Sequence, residues 1–197
     1  VEPGQFMEEW LALYKSKSGE RGIFNRVAAR KGIERNTTNR SDVDRQRETE
    51  HHFGTNPCSE IVLRDCEFCN LTEMVVRADD TSESLMRKAR LATILGTWQS
   101  TLTDFRYLSS SWKKNCEDER LLGVSMTGIM DCELTNGKKS GLESLLCKLR
   151  QEVIAVNRNT AKNIGVEQSV ATTCVKPSGT VSQLVDAASG IHARHNP

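Results

Sequence analysis

The chain has 197 residues and a net charge of +1 at pH 7. This near-neutral balance excludes the strongly basic character typical of proteins that bind nucleic acid or anionic membrane surfaces. With 37% hydrophobic residues, the chain is long enough to bury the core of one or two ordinary domains. No segment approaches the about 18 uninterrupted apolar residues of a membrane-spanning helix. We therefore expect neither a nucleic-acid partner nor a membrane partner.

The seven cysteines are spaced irregularly, at Cys58, Cys66, Cys69, Cys116, Cys132, Cys147 and Cys174. An odd number without a regular pattern does not indicate a secreted disulfide framework, so we expect a reducing, cytoplasmic location. The first residue is not an initiator Met, and no signal-peptide core follows it. We interpret the sequence as a piece of a longer polypeptide.

The first third of the chain is predicted to be helical and then polar. Apolar residues at helical spacing predict a helix over Gln5–Tyr14. Gly19 and Gly22 end this pattern. A second helix can extend over Arg26–Lys31. The polar stretch Gly32–His52 predicts an exposed loop.

Short strands and a long helix are predicted next. A turn at Asn56–Glu60 precedes a short buried strand over Ile61–Leu63, and a second strand is predicted within Phe68–Val76. Thr81 or Ser82 is the expected N-cap of a helix. The apolar face of this helix is predicted to contain Leu85, Ala89, Ala92, Leu95, Trp98 and Leu102.

The last third alternates strands with helices. Leu121–Gly128 predicts a buried strand that ends at a turn, and Gly141–Asn163 predicts a long helix. Its inward residues are predicted to be Leu142, Leu145, Leu146, Leu149, Val153 and Val156. A strand over Val170–Val175, a turn over Lys176–Thr180 and a helix over Val181–Ala188 follow. Strands separated by long helices predict parallel pairing and the α/β class.

Three groups of residues could carry chemistry. The first is Asn56, Cys58 and Glu60 at the predicted turn. A thiyl radical on the cysteine could abstract hydrogen from carbon, the carboxylate could take a hydroxyl proton, and the amide could hold that hydroxyl. Taken alone, however, a Cys-x-Glu sequence is usually a small buried cysteine beside a surface acid.

The second group is the Cys-x-x-Cys pair of Cys66 and Cys69, which could be half of a zinc site. No second ligand pair accompanies it, so we predict no metal and favour a lone thiol at Cys69 that meets Cys58 or another cysteine. The third group is the turn Lys176–Thr180, whose backbone N–H groups and hydroxyls could hold an anion. A plain strand-to-helix turn is the alternative for this turn.

In combination, these motifs are more specific. Asn-Pro-Cys-Ser-Glu-Ile, Phe-Cys-Asn-Leu, Gly-Val-Ser-Met-Thr-Gly and Lys-Pro-Ser-Gly-Thr-Val-Ser occur in this order. The order resembles the class II ribonucleotide reductases, the adenosylcobalamin-dependent enzymes, and in particular those that reduce triphosphates. Ser-Gly-Glu-Arg-Gly-Ile-Phe-Asn over 18–25 is similar to the segment that precedes their catalytic loop.

The resemblance implies the C-terminal part of a ten-stranded α/β barrel with a central finger loop. It divides residues 1–197 of this partial barrel domain into an entry helix and polar loop (1–52), the finger loop with a redox cysteine (53–76), and helices and strands with a phosphate-binding turn (77–197). The implied activity is reduction of ribonucleotides to 2′-deoxyribonucleotides for DNA synthesis.

The resemblance also implies roles for individual residues. Cys58 matches the thiyl cysteine, Glu60 the base for the ribose 3′-hydroxyl, and Asn56 the amide that holds the ribose hydroxyls. Cys69 matches one member of a redox-active cysteine pair. The substrate phosphates would be held by Pro177, Ser178, Gly179, Thr180 and Val181.

The implied cofactor is adenosylcobalamin, and the implied partners are a ribonucleotide, thioredoxin or a similar dithiol, and an allosteric deoxynucleotide in the full-length enzyme. In that family the partner of Cys69 lies upstream of the segment matched here, so we expect this chain alone to be inactive. Cys116, Cys132, Cys147 and Cys174 are interpreted as ordinary core or surface residues. The alternatives are a relative with a different radical source, such as a di-iron subunit, a non-catalytic nucleotide-binding module, and a zinc-binding module built on Cys66 and Cys69.

Overall fold

A computed structural model describes residues 1–19, 22–38 and 45–194. The helices are α1 Pro3–Ser16, α2 Arg26–Thr38, α3 Ser82–Gln99, α4 Ser110–Glu119, α5 Leu142–Ile164 and α6 Thr180–Leu184. The strands are β1 Phe53–Thr55, β2 Val62–Arg64, β3 Asn70–Val75 and β4 Leu122–Thr127. Within the described ranges, none of the helices combines the length and the apolar character needed to cross a membrane.

The centre of the fold is the parallel pair of β3 and β4, in register from Asn70 opposite Leu122 to Val75 opposite Thr127. Five of the six β4 residues are buried, as expected for a parallel strand covered on both faces. Helix α3 packs on both strands of this pair, and α5 packs against α3. The main core cluster consists of Met74, Val76, Leu85, Ala89, Ala92, Leu122, Val124, Cys132, Leu149 and Val153. The predicted α/β class and parallel pairing are confirmed.

The second sheet is a short antiparallel hairpin of β1 and β2, with Phe53 opposite Arg64 and Thr55 opposite Val62. Strand β1 was not predicted, because three residues are too few for a visible alternation. The described residues thus form two two-stranded sheets. A ten-stranded barrel therefore stays a prediction.

Helix α3 begins where the sequence predicted. The Thr81 hydroxyl accepts from the Ser84 N–H at 3.2 Å, and the Ser84 hydroxyl accepts from the Thr81 N–H at 2.9 Å, which forms a capping box. The predicted apolar face is correct as far as Ala92, but Leu95 and Trp98 are 57% and 54% exposed. The buried positions of α3 are Leu85, Ala89, Ala92, Thr93, Gly96 and Thr97.

Small residues explain the difference in the second half of α3. A Cβ atom at Gly96 would lie 3.3 Å from the Leu122 side chain, so the helix approaches β4 closely there. The Thr93 and Thr97 hydroxyls donate to carbonyls one turn earlier, which satisfies them in a buried position. Close packing here depends on small residues, which a search for large apolar side chains does not detect.

Two predicted elements near the C-terminus are shorter than expected. The segment Val170–Val175 lies beside β4 but forms a single bridge, between Thr173 and Val124. The carbonyls of Ala171 and Thr172, which are consecutive, accept from β4, whereas a regular ladder uses alternate residues. The strand prediction was wrong for this reason, and the helix predicted over 181–188 is confined to α6. In α5, Leu146 is 40% exposed, while Ile154, Asn157 and Ala161 are buried instead.

The prediction of an exposed loop over Gly32–His52 was wrong at both ends. Helix α2 continues to Thr38, and the side chain of Arg47 is buried, with 8% of it exposed. Residues 39–44 of the predicted loop lie outside the described residues. A loop rich in charge therefore contributes a buried guanidinium, which implies a buried acidic partner.

That partner is Glu119, the last residue of α4, a helix that the sequence analysis missed. Arg47 Nε lies 2.9 Å from both carboxylate oxygens of Glu119, and its Nη2 donates to the Val62 carbonyl of β2 at 2.9 Å. Arg64 of β2 pairs with Glu119 at 3.0 Å, and Glu67 lies 3.6 Å from Arg47. We call Arg47, Arg64, Glu67 and Glu119 the buried ionic cluster. It ties the base of the hairpin to α4.

Glu67 makes the stability of this cluster dependent on pH. Burial and the neighbouring Glu119 carboxylate raise the pKa of Glu67 to about 8, against an ordinary value of 4.5. Since the folded state holds this proton more tightly than the unfolded state, stability should fall as pH rises from about 4.5 to about 8. We expect Glu67→Gln to reduce that fall, measured by urea unfolding at several pH values.

The control for this prediction is Glu48→Gln. Glu48 is 76% exposed, and its hydrogen bond from His51 lowers its pKa. Replacing Glu48 should therefore change the pH dependence of stability only at acidic pH, below its ordinary pKa of 4.5. An unchanged pH dependence in Glu67→Gln would contradict the assignment.

Candidate functional site

The loop at 56–61 joins β1 to β2 and is fixed by its own hydrogen bonds. The Ser59 N–H donates to the Asn56 carbonyl at 2.9 Å, which closes a turn with Pro57 at its second position. Ser59 has a left-handed φ of 61°. The Asn56 side chain then accepts from the Ile61 N–H at 3.1 Å. The loop places the Cys58 thiol at an exposed tip.

Glu60 follows this tip, and only one of its two carboxylate oxygens has partners. Its Oε1 atom accepts from Asn56 Nδ2 at 2.6 Å and lies 2.9 Å from Lys176 Nζ. Its Oε2 atom is buried and has no hydrogen-bond partner within the described part of the chain. Only 8% of the side chain is exposed. The carboxylate therefore has one buried oxygen that accepts no hydrogen bond from the described residues.

Lys176 connects this loop to the C-terminal turn, 118 positions away from Cys58. Its ammonium donates to Cys58 Sγ at 3.4 Å while it pairs with Glu60. Burial acts to raise the pKa of Glu60, but the hydrogen bonds from Lys176 and Asn56 outweigh it and lower the pKa below its ordinary value. Glu60 is therefore ionised at neutral pH and able to accept a proton.

We expect Lys176→Met to raise the pKa of Glu60, because burial then acts with less opposition. The measurement is a carbon-13 NMR titration of the Glu60 carboxyl group in the purified chain. Lys139→Met is the matched control, because Lys139 pairs with Glu133 and not with Glu60. A Glu60 titration midpoint that does not rise would show that Lys176 does not govern its charge.

Cys69 precedes β3 and lies in a small apolar cluster that includes Ile61 of the loop. From the sequence we expected it to meet Cys58 or another cysteine. The structure places it beside Cys174, which had been interpreted as an ordinary residue. A Cβ atom added at Gly123 would lie 3.2 Å from Cys69 Sγ and 3.0 Å from Cys174 Sγ.

The predicted phosphate turn lies next to the loop through Lys176, but its serine is already engaged. Ser178 is buried, and its hydroxyl accepts from the Ser182 N–H at 3.1 Å. Gly179 and Thr180 are exposed, and Val181 is 42% exposed. The available groups at this turn are therefore those of Gly179 and Thr180, whereas Ser178 stabilises α6.

The zinc alternative finds no support in the described residues. No group of three His, Cys, Asp or Glu side chains within 1–19, 22–38 and 45–194 could hold a metal ion. Cys66 has a left-handed φ of 54° at the turn before Glu67. Its neighbour Glu67 belongs to the buried ionic cluster.

From the sequence we predicted Asn56, Cys58, Glu60 and Cys69 as site residues, and we did not predict two residues that the structure places near them, Lys176 and Cys174. Lys176 was considered only as part of the anion-binding turn, and Cys174 as an ordinary residue. The signal for Lys176 was present, since a lysine directly before Pro177 stands at the entrance of the turn. No spacing rule predicts its contact with a loop so far away in the sequence.

No family model matches the chain. The curated relatives that match the chain include several named adenosylcobalamin-dependent ribonucleoside-triphosphate reductase. The protein from Lactobacillus acidophilus is 31% identical over 165 residues, which is 71% of this chain and 22% of the relative. The proteins from Levilactobacillus brevis and Lacticaseibacillus paracasei are 28% and 29% identical, over 89% and 92% of this chain.

A solved structure of a class II ribonucleotide reductase is also similar to this chain. The crystal structure of a B-12 dependent (class II) ribonucleotide reductase matches with a TM-score of 0.56 and 27% identity, over 72% of this chain and 23% of that chain. The chain spans only 22% to 27% of the length of the three curated relatives. The resemblance inferred from the motifs is confirmed: this chain is homologous to one segment of the adenosylcobalamin-dependent, class II ribonucleotide reductases.

Proposed function

We propose that this chain forms the reaction centre of a ribonucleotide reductase that converts ribonucleoside triphosphates to 2′-deoxyribonucleotides by thiyl-radical chemistry. The observation that carries the proposal is the unused Glu60 Oε2 beside Cys58. A buried, ionised carboxylate with one free oxygen next to an exposed thiol is arranged to accept a hydroxyl proton while the sulfur acts on the adjacent carbon.

The reaction divides among the residues of the loop. As a thiyl radical, Cys58 would take a hydrogen atom from C3′ of the ribose. Glu60 would accept the 3′-hydroxyl proton through Oε2, and Asn56 would hold the ribose hydroxyls by its amide. Asn56 already binds Glu60, so the amide also fixes the direction of the carboxylate.

Two further groups complete the site. Cys69 and a second thiol would supply two protons and two electrons, forming a disulfide. The C2′–OH bond breaks, the oxygen leaves as water, and a C2′–H bond forms. The turn Pro177–Val181 would hold the phosphates, principally through Gly179 and Thr180, which are exposed.

Adenosylcobalamin, named in the relatives, supplies when bound the one-electron oxidation that makes a thiyl radical from a thiol. Among the described residues, Cys58 suits this oxidation, because its thiol is exposed at the tip of its loop and within reach of an external radical source. We assign no residue of this chain to holding the cofactor itself. In the full-length enzyme we also propose the complete ten-stranded barrel around the finger loop, a dithiol reductant such as thioredoxin, and an allosteric deoxynucleotide.

The test is conversion of a ribonucleoside triphosphate by the full-length protein with a dithiol, with and without adenosylcobalamin. We expect deoxynucleotide only when adenosylcobalamin is present, and none from the isolated 197-residue chain. Turnover without it would favour a relative with another radical source. Nucleotide binding without any turnover would favour a non-catalytic binding module.

A further inference from the structure

The motif Gly-Val-Ser-Met-Thr-Gly, residues 123–128, has no part in the proposed reaction, yet it contains a buried polar residue. Thr127 is the last residue of β4, and 0% of its surface is exposed. It lies at the carboxyl end of a parallel strand, the edge at which open α/β sheets bind their ligands. A hydroxyl buried at this edge must have hydrogen-bond partners, and these partners show what it holds in place.

The two partners that the structure gives the Thr127 hydroxyl lie in residues 187–190, which we call the return segment. The hydroxyl donates to the Ala188 carbonyl at 3.0 Å and accepts from the Gly190 N–H at 2.9 Å. Just after the strand, the Asp131 carboxylate accepts from the Ala188 N–H at 2.7 Å. The end of β4 therefore holds a segment that follows about 60 positions later in the chain.

The return segment in turn packs against the backbone of the turn at 176–180. Gly190 has a left-handed φ of 53°, and a Cβ atom there would lie 2.7 Å from the Lys176 carbonyl oxygen and 3.4 Å from the Ser178 nitrogen. The Ser189 hydroxyl donates to the Ser178 carbonyl. The exposed groups of the turn follow directly after these contacts, so the return segment fixes their position.

We propose that Thr127 is a positioning residue for nucleotide binding. By holding the return segment, it keeps the turn at 176–180 in the backbone geometry that binds the triphosphate group of the substrate. The role in substrate binding rests on the proposed function, whereas the support that Thr127 gives to the turn does not.

The support for the turn is tested by amide hydrogen exchange in the full-length protein, followed by mass spectrometry. Thr127→Val replaces the hydroxyl by a methyl group and removes both hydrogen bonds to the return segment. We expect exchange over 176–190 to become about 10-fold faster, the scale of one lost hydrogen bond, while α5 is unchanged. Thr127→Ser should restore slow exchange, because serine keeps the hydroxyl.

The matched control is Thr93→Val. Thr93 is also 0% exposed, but its hydroxyl donates to the Ala89 carbonyl within α3. This substitution should leave exchange over 176–190 unchanged. Equal exchange over 176–190 in Thr127→Val and the unsubstituted protein would overturn the proposal.

The role in binding is tested by steady-state kinetics with a ribonucleoside triphosphate. In Thr127→Val we expect KM to rise about 10-fold while kcat stays within about 2-fold, because the turn contacts the phosphates and not the reacting carbons. Inorganic triphosphate, which lacks the ribose, should become a weaker inhibitor by a similar factor. Thr127→Ser and Thr93→Val should keep the KM of the unsubstituted protein. An unchanged KM, or a loss confined to kcat, would overturn the proposal.

A second variant tests the same contact if Thr127→Val does not fold, which circular dichroism will show. Gly190→Ala leaves Thr127 intact but presses a methyl group against the Lys176 carbonyl. It should also raise KM, and an unchanged KM would contradict the support of the turn by the return segment. If the unsubstituted full-length protein fails to reduce ribonucleotides, the proposed function falls, and hydrogen exchange still decides whether Thr127 holds the turn.

Discussion

In the full-length protein, Cys58→Ser should lower nucleotide reduction by about 10³-fold or more, the scale seen when the reacting group of an enzyme is removed. A serine hydroxyl does not form the radical that a thiol forms, and it leaves the loop geometry in place. The turn is closed by backbone groups and by the Asn56 side chain, neither of which involves the sulfur. Nucleotide binding should therefore stay within a few-fold of the unsubstituted protein.

The measurement pairs a deoxynucleotide assay with a direct binding titration of the same preparation. Cys147→Ser is the matched control, because that cysteine is also exposed but lies on α5. It should leave both values unchanged. Retained turnover in Cys58→Ser would remove the central residue from the proposed mechanism.

The largest stability effect is expected from Arg47→Met, with a loss of about 3–5 kcal/mol in the free energy of unfolding. The guanidinium is buried and makes hydrogen bonds to both Glu119 and the Val62 carbonyl. Its removal leaves the buried Glu119 carboxylate with Arg64 as its remaining cation, and it takes away the positive charge nearest to Glu67. Urea unfolding followed by circular dichroism measures the change.

Arg45→Met provides a comparison only two positions away. Arg45 pairs with Glu167 at 3.7 Å, and both side chains are substantially exposed, 34% and 73%. Exposed pairs of this kind contribute about 0–1 kcal/mol. Equal effects of the two substitutions would mean that the buried ionic cluster does not hold the hairpin to α4.

Much of the fold was predictable from local signals. Thr81 and Glu83 indicated the start of α3, and the apolar run ending at Gly128 indicated β4. These elements depend on capping and on burial, which neighbouring residues in the sequence report. The α/β class followed from their alternation.

What could not be predicted depends on contacts between distant segments. The burial of Arg47 follows from Glu119, 72 positions away, and a charged residue alone indicates only exposure. Helix α4 carries mostly polar residues and was missed because it lacks a regular apolar face. Likewise, the strand predicted over Val170–Val175 reflected its apolar content, whereas its hydrogen bonds to β4 are irregular.

In the candidate site, too, local contacts were predictable and contacts between distant segments were not. Asn56, Cys58 and Glu60 are close in sequence, and the hydrogen bond between Asn56 and Glu60 is local, so the motif indicated them together. Lys176 and Cys174 join them only through the path of the chain after β4.

The bridge from Lys176 to Cys58 and Glu60 also has a consequence for synthesis. A polypeptide leaves the ribosome from its N-terminus, and domains begin to fold as they emerge. The loop at 56–61 is therefore made well before Lys176, and until then the Glu60 carboxylate has Asn56 but no cation beside it. Arrival of the turn at 176–180 supplies that charge. The local electrostatics of the thiol and its neighbouring base are thus completed only after Lys176 has been made.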